Sequence, residues 1–234
     1  MSTLSYQERF KTYKGVFDEF TMRNLFELES RGAFEELLSP LKVGKESNVF
    51  IAQKGKSKRI VKIYRLQNCD FNRMFYYIRQ DPRYEFLKHH RREIIFSWAQ
   101  REFRNLKYAE EAKVKAPRPY DFKDNILVEE FIGRKEPARP LKDHYPEKPH
   151  LFFKFLVLEM KKLYKQGLIH GDLSAFNILN YQEKPYLIDF SQATLVKAHN
   201  AEELLLRDVK NVVHFFTKFS LVINEQEIIQ TIKK

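Results

Sequence analysis

The segment His170-Gly171-Asp172-Leu173-Ser174-Ala175-Phe176-Asn177, followed twelve residues after Asn177 by Ile188-Asp189-Phe190, carries the most chemistry in this chain. An aspartate that takes a proton from a hydroxyl, an amide five residues on, and a later aspartate are the parts needed to move a γ-phosphoryl group with a divalent metal. On this reading Asp172 is the proton acceptor, and Asn177 and Asp189 are the metal ligands. Lysine is a compact point charge for phosphate, and Lys62 lies in the apolar run Ile60-Val61-Lys62-Ile63-Tyr64. Glu102 follows forty residues later among helix formers, where it can pair with Lys62 and restrain its stem. A single lysine beside apolar residues is usually a solvated strand edge. The ordered set Lys62, Glu102, Asp172, Asn177 and Asp189 argues against that reading here. His170 reads as a core histidine that supports the loop by a backbone hydrogen bond, leaving the proton chemistry to Asp172.

Residues 41–49, Leu-Lys-Val-Gly-Lys-Glu-Ser-Asn-Val, precede the lysine strand, where a loop covering phosphates belongs. Gly44, Lys45, Glu46, Ser47 and Asn48 are its candidate nucleotide contacts. With Gly44 as its one glycine, few backbone positions can approach a phosphate unobstructed, and Ser47 and Asn48 stand as small polar substitutes.

The elements that must hold these groups follow from periodicity. Residues 18–38 read as two short helical pieces, since Phe20, Leu25 and Leu28, then Phe34, Leu37 and Leu38, recur at near-helical spacing, with Gly32 and Pro40 as breaks. Residues 49–52 and 60–64 read as a hairpin around a polar turn. Residues 65–92 are charged and aromatic without clean period, a long loop or partial helix. Residues 93–113 read as a helix ended by Pro117 and Pro119, residues 126–132 as a strand, and 134–149 as a Pro-rich boundary. A helix over 151–165, two short strands near Ile178 and Leu187, and a last pair of helices from Ala201 complete a second lobe. Arg207, Asp208 and Asn211 are placed to tie that helical end to the catalytic loop.

Composition bounds the answer. A chain of 234 residues, 43% hydrophobic and with 34 aromatics (21 Phe, 12 Tyr, 1 Trp), can bury a sizeable core and suits one two-lobed unit or two small domains. Lys+Arg 42 against Asp+Glu 31 gives +11, which favours polyanionic partners. The basic runs 54–59 and 88–92, near Phe75, Tyr76, Tyr77 and Tyr84, are either solvated faces or RNA contacts. The single cysteine, Cys69, reads as an ordinary small side chain; it excludes an internal disulfide, and no CxxC or Cys/His ligand spacing suggests a zinc site. With no apolar run of about 18 residues and no secretory signal, the expected location is the cytoplasm, away from membranes.

The segments GKESNV (44–49), IVKIY (60–64), EFIG (130–133), HGDLSAFNIL (170–179) and IDFSQ (188–192) resemble, in order, the signatures of the RIO family of atypical serine protein kinases. The resemblance covers roughly residues 12–220 and is nearest the first, archaeal-type short subfamily. Residues 43–47 depart from it toward the loop of the second subfamily. The resemblance implies a two-lobed α+β fold like a trimmed protein kinase: a helical extension over 1–40, a β-rich lobe over 41–133 and a helical lobe over 134–234. It also implies ATP with Mg²⁺ or Mn²⁺, autophosphorylation on serine, and adenine held by backbone groups of Glu130 and Ile132. Family members are further thought to act as ATPases in which the aspartate at Asp189 becomes phosphorylated. The implied role is maturation of the small ribosomal subunit, with the pre-ribosomal particle and its RNA as partners. Only 45 residues follow Asp189, with no APE motif, so a general peptide-binding platform does not fit. The competing expectation is a basic RNA-binding scaffold with ATP as a structural ligand.

Overall fold

Alternation along the lysine strand sets the first lobe. In the computed structural model, which describes residues 17–67 and 69–234, five antiparallel strands lie in the order β1 (Glu36–Val43), β2 (Ser47–Lys54), β3 (Ser57–Tyr64), β5 (Ile126–Glu130), β4 (Pro119–Lys123). Successive side chains point to opposite faces. Val61 and Ile63 share one face with Ile126 and Val128, and there they bury against Leu25 and Leu28 of helix α1 (Glu19–Ser30). Asp18 caps that helix by accepting from the Thr21 backbone N–H at 2.8 Å. The opposite face carries Lys62 across from Leu127, and Ile60 across from Glu129.

Behind that second face runs helix α3 (Arg91–Glu111), twenty-one residues long. It serves two cores. Ile94, Ile95, Trp98 and Ala99 pack with Tyr64 and with Met74 and Ile78 of helix α2 (Phe71–Arg79), whereas Leu106 and Ala109 join Leu127 in the larger core of the second lobe. That lobe is built from helices α4 (Pro149–Lys165), α5 (Ala201–Thr217) and α6 (Glu225–Lys233). Hairpin β8 (Ile178–Tyr181) and β9 (Lys184–Leu187) pairs with β6 (Arg139–Pro140), and β7 (Leu168–Ile169) pairs with β10 (Thr194–Leu195).

The α+β, two-lobed architecture is the one the sequence implies, with two local differences. Among the described residues the helical extension expected over 1–40 is only Glu19–Ser30, because residues 36–43 pair with β2 as an edge strand. The 3–4 spacing of Phe34, Leu37 and Leu38 imitates a helix, yet only Leu37 is buried within β1, and register shifts at Leu37/Ser39 and Pro40/Lys42 admit Pro40 at an edge. Strand β4 follows Pro117, where the sequence shows only the end of a helix. The irregular stretch 65–92 contains α2, capped by Asp70.

Candidate active site

Two residues twelve apart are brought together by a hairpin. Ile178 pairs with Leu187, and one step outward the Ile188 N–H donates to the Asn177 carbonyl at 3.0 Å, so Asn177 and Asp189 emerge side by side. The hairpin closes tightly through Gln182 and Glu183, both at positive φ (54° and 58°), as two-residue turns require. Asp189 itself sits in the left-handed region (φ 65°, ψ 71°). Its carboxylate is held there at Oδ1 by the Ser191 hydroxyl (2.7 Å) and by Lys62 Nζ (3.0 Å).

Lys62 also donates to Glu102 Oε1 at 2.9 Å, and the Tyr64 hydroxyl donates to the other oxygen of the same carboxylate. The ion pair joins β3 to α3 in a place where Glu102 is wholly buried. Burial works against the charge on Lys62, but Asp189 and Glu102 outweigh it and hold its pKa well above the ordinary lysine value. Burial would raise the Asp189 carboxyl too; Lys62 and the Ser191 hydroxyl reverse this and pull it down to about 2. The pair is therefore ionised at neutral pH.

The loop before Asn177 is fixed from below. Asp208 on α5 accepts the backbone N–H groups of Gly171 (2.7 Å) and Leu173 (2.8 Å), while Asn211 donates to the Leu173 carbonyl at 3.1 Å and Arg207 to the Gly171 carbonyl. Gly171 has φ 76°, and a Cβ there would lie 2.9 Å from the Gln192 carbonyl, so a side chain cannot be accommodated. Asn177 Nδ2 donates to the Asp172 carbonyl (2.8 Å) and to Asp172 Oδ2 (3.1 Å), which orients the aspartate. Burial, and next the neighbouring Asp189, raise the Asp172 carboxyl above its usual value. His170 Nε2 lies 3.0 Å from the Ile188 carbonyl, which can only accept, so Nε2 carries the proton. Burial lowers its pKa to about 4, and the neutral ring packs 4.9 Å from Phe190.

Gly44 to Glu46 form the turn between β1 and β2, and Ser47 and Asn48 open β2. The Gly44 N–H donates to the Ser47 carbonyl at 2.9 Å, and a Cβ at Gly44 would come within 2.8 Å of that oxygen. Asn48 is held by Arg65 at 3.1 Å. Glu46 turns toward the cleft, where burial first and Asp189 second raise its carboxyl. Lys45 stands on the same turn. Glu130 and Ile132 follow at the end of β5, where the chain crosses to the second lobe.

The donor set suits a small hard cation shared with phosphate. Both hydrogen bonds of Asp189 fall on Oδ1, and both of Asn177 are made by Nδ2, so Asp189 Oδ2 and Asn177 Oδ1 are acceptors without a hydrogen-bond partner among the described residues. No cluster of three or more His, Cys, Asp or Glu side chains is present among the described residues. Mg²⁺ characteristically takes one or two protein oxygens and completes its shell with substrate phosphates and water.

Several supporting residues are not evident from sequence. Asn105 donates to the carbonyls of Phe190 (2.9 Å) and Ala193 (2.8 Å), and Arg101 donates to that of Ser191 at 3.3 Å. Asp81 ion-pairs with Arg83 and Arg101, and Arg83 in turn donates to Asn105. Their one sequence signal is a polar stripe, Arg101, Glu102 and Asn105, on an otherwise apolar helix face.

Against known proteins, the profile of the RIO domain matches residues 48–228. The chain is 41% identical over 223 residues to the RIO-type serine/threonine-protein kinase Rio1 of Methanocaldococcus jannaschii, covering 94% of this chain and 77% of that one. It is 36% identical to the Rio1 kinase of Haloferax volcanii, covering 90% and 73%. Among solved structures, the Rio2 kinase of Chaetomium thermophilum in its ADP/Mg²⁺-phosphoaspartate complex superposes with a TM-score of 0.71 at 24% identity, over 92% of this chain and 66% of that one, a likeness of fold.

Proposed function

The chain belongs to the RIO family of serine/threonine protein kinases, most like its archaeal members, and from that premise we propose that it transfers the γ-phosphoryl group of ATP to a serine hydroxyl, its own included, or to water. The observation that carries this reading is the meeting of Lys62, Glu102 and Asp189 within 3.0 Å, beside an Asp172 oriented by Asn177.

Lys62, held by Glu102, positions the α and β phosphates. Asp189 Oδ2 and Asn177 Oδ1 hold the metal, and Mg²⁺ bound there supplies charge neutralisation across the phosphates. Asp172 orients the attacking hydroxyl and accepts its proton. Gly44 to Asn48 cover the phosphates, and backbone groups of Glu130 and Ile132 hold the adenine edge. Positioning and charge account for most of the catalysis, since phosphoryl transfer asks little covalent help of a protein.

A second route has its own support. Asp189 keeps one carboxylate oxygen without a hydrogen bond among the described residues, and the Chaetomium Rio2 complex is described with a phosphoaspartate. Attack of that oxygen on the γ-phosphorus would form a P–O bond as the bond to ADP breaks, and water would then release phosphate. We assign the biological setting to maturation of the small ribosomal subunit in the cytoplasm, on the strength of the family and the +11 charge.

The test is Mg²⁺-dependent incorporation of γ-labelled phosphate into the purified protein, beside Asp172→Ala and Asp189→Ala. Hydroxylamine-resistant label lost in Asp172→Ala supports serine chemistry, and hydroxylamine-labile label supports the acyl-phosphate route. Wild-type turnover in Asp172→Ala overturns the assignment of the base.

A further inference from the structure

Glu129 is a charged residue type in a place where charge is costly. It is 8% exposed, its side chain makes no hydrogen bond among the described residues, and its Oε2 is buried with no partner. A buried polar atom left unsatisfied in a native structure calls for an explanation. The register supplies the direction of the side chain. Glu129 lies across from Ile60, two residues along from the Leu127–Lys62 pair, and so shares the face of the sheet that bears Lys62. Val128 and Ile126, on the other face, bury against α1. The unpartnered carboxyl therefore belongs to the floor of the nucleotide cleft, one residue before Glu130.

From this placement, and resting on the ATP reading above, we infer that Glu129 reads the nucleobase: its carbonyl oxygen accepts one amino proton of adenine N6 and its O–H donates to N7. The geometry of the base argues for that edge. If backbone groups of Glu130 and Ile132 take the Watson–Crick edge, N6 keeps a second proton and N7 stays open, both toward the strand interior. A neutral carboxyl presents one acceptor and one donor side by side, the same pair by which Asn or Gln side chains read adenine N6 and N7. Guanine offers two acceptors, O6 and N7, to a group that has a single proton. Burial, reinforced by Glu102 and opposed by Lys62, raises the Glu129 carboxyl to about 8, which supplies the proton this contact needs. The charged groups facing it are Glu102 on α3, Lys62 on β3 and Asp189.

The test uses the intact chain with Mg²⁺ and two nucleotides, ATP and 7-deaza-ATP, which lacks only the N7 acceptor. Dissociation constants are measured by calorimetry at pH 7 for the wild type, Glu129→Gln and Glu129→Leu. The expected result is a preference for ATP of about tenfold in the wild type, equivalent to about 1.4 kcal/mol, its retention in Glu129→Gln, and equal binding of both nucleotides by Glu129→Leu. Melting of the nucleotide-free variants serves as the folding control: Glu129→Leu removes a buried unpaired acid and should melt no lower than the wild type. An unchanged ATP preference in folded Glu129→Leu, or a wild type that binds both nucleotides equally, overturns the inference while leaving the ATP reading intact. A wild type that binds neither nucleotide overturns both.

Discussion

Lys62 satisfies two carboxylates that differ in what becomes of them without it. Glu102 is wholly buried, whereas the Asp189 side chain is 39% exposed. Breaking a buried ion pair by removing one partner costs about 3–5 kcal/mol, because the other charge is left uncompensated. Lys62→Ala should therefore destabilise the protein by about that amount in urea unfolding, and Asp189→Ala, which leaves the Lys62–Glu102 pair intact, by clearly less. Equal losses would mean that Glu102 is not held ionised by Lys62. Glu129 gives the pH counterpart. Its folded-state pKa of about 8 lies above the ordinary 4.5, so the folded state binds the extra proton and Glu129 opposes folding progressively as pH rises through that interval. Glu129→Gln lacks this penalty. Its stability advantage over the wild type should grow from pH 4.5 to 8, with a ceiling of about 5 kcal/mol at about 1.4 kcal/mol per pH unit. A pH-independent difference in paired urea titrations would refute the buried acid as its source.

Helix α3 is the element on which the site depends, and most of its contribution is side chain to main chain. Glu102 grips β3, while Asn105 and Arg101 grip the carbonyls of residues 190–193 just after Asp189. Asn105→Leu would fill the space but take the side-chain donor from the Ala193 carbonyl, at about 1–3 kcal/mol, while the Phe190 carbonyl keeps the Ala193 N–H at 3.1 Å. The expected result is a fall in stability together with a higher KM for Mg·ATP, since the segment that aims Asp189 loses its tether. A stability loss with unchanged KM would confine Asn105 to structure. At this scale the grouping of the candidate site was legible in sequence because Asp172, Asn177 and Asp189 are tied to fixed spacing, and the hairpin that joins Asn177 to Asp189 has a fixed register. Lys62 and Glu102, forty residues apart, were legible from element type and order. Asn105 and Asp81 were not, because their partners are main-chain atoms or residues set by tertiary approach. Strand β1 was misread because Phe34, Leu37 and Leu38 fit a helical period, while the pairing with β2 that overrides it is non-local.

At the scale of the whole molecule, the +11 charge separates into basic groups already engaged and basic groups that face water. In the run 54–59, Lys54 pairs with Glu35 at 3.4 Å, Lys58 donates to the Lys135 carbonyl at 2.5 Å, and Arg59 bonds the Ala33 carbonyl while its guanidinium lies 3.9 Å from the centre of the Tyr120 ring. Those residues act as structure. Across α2 and the segment leading to α3, Arg73, Arg79, Lys88, Arg91 and Arg92 are exposed and make no ion pair among the described residues, although the four arginines lie over the rings of Tyr77, Phe75, Phe71 and Phe20, and a cavity of about 530 Å³ is lined by Asn72, Phe75, Tyr76, Arg79, Gln80 and His89. Exposed cations beside an exposed aromatic side chain, Tyr76, are the makings of a single-strand RNA surface, where phosphates meet charge and bases stack on rings. Each phosphate contact to a single strand contributes about −0.7 to the slope of log affinity against log salt. If four of these five cations engage phosphates, filter binding to ribosomal RNA should give a slope near −3, and the double variant Arg79→Glu/Lys88→Glu should flatten it by about 1.4 while leaving the Kd for ATP unchanged. The ATP arm separates the two surfaces, since among the described residues neither Arg79 nor Lys88 is hydrogen-bonded or ion-paired to Lys62 or Asp189. An unaltered slope would place the RNA contacts elsewhere on the molecule, and a flat wild-type slope would mean that the positive charge of this chain is not there to hold nucleic acid.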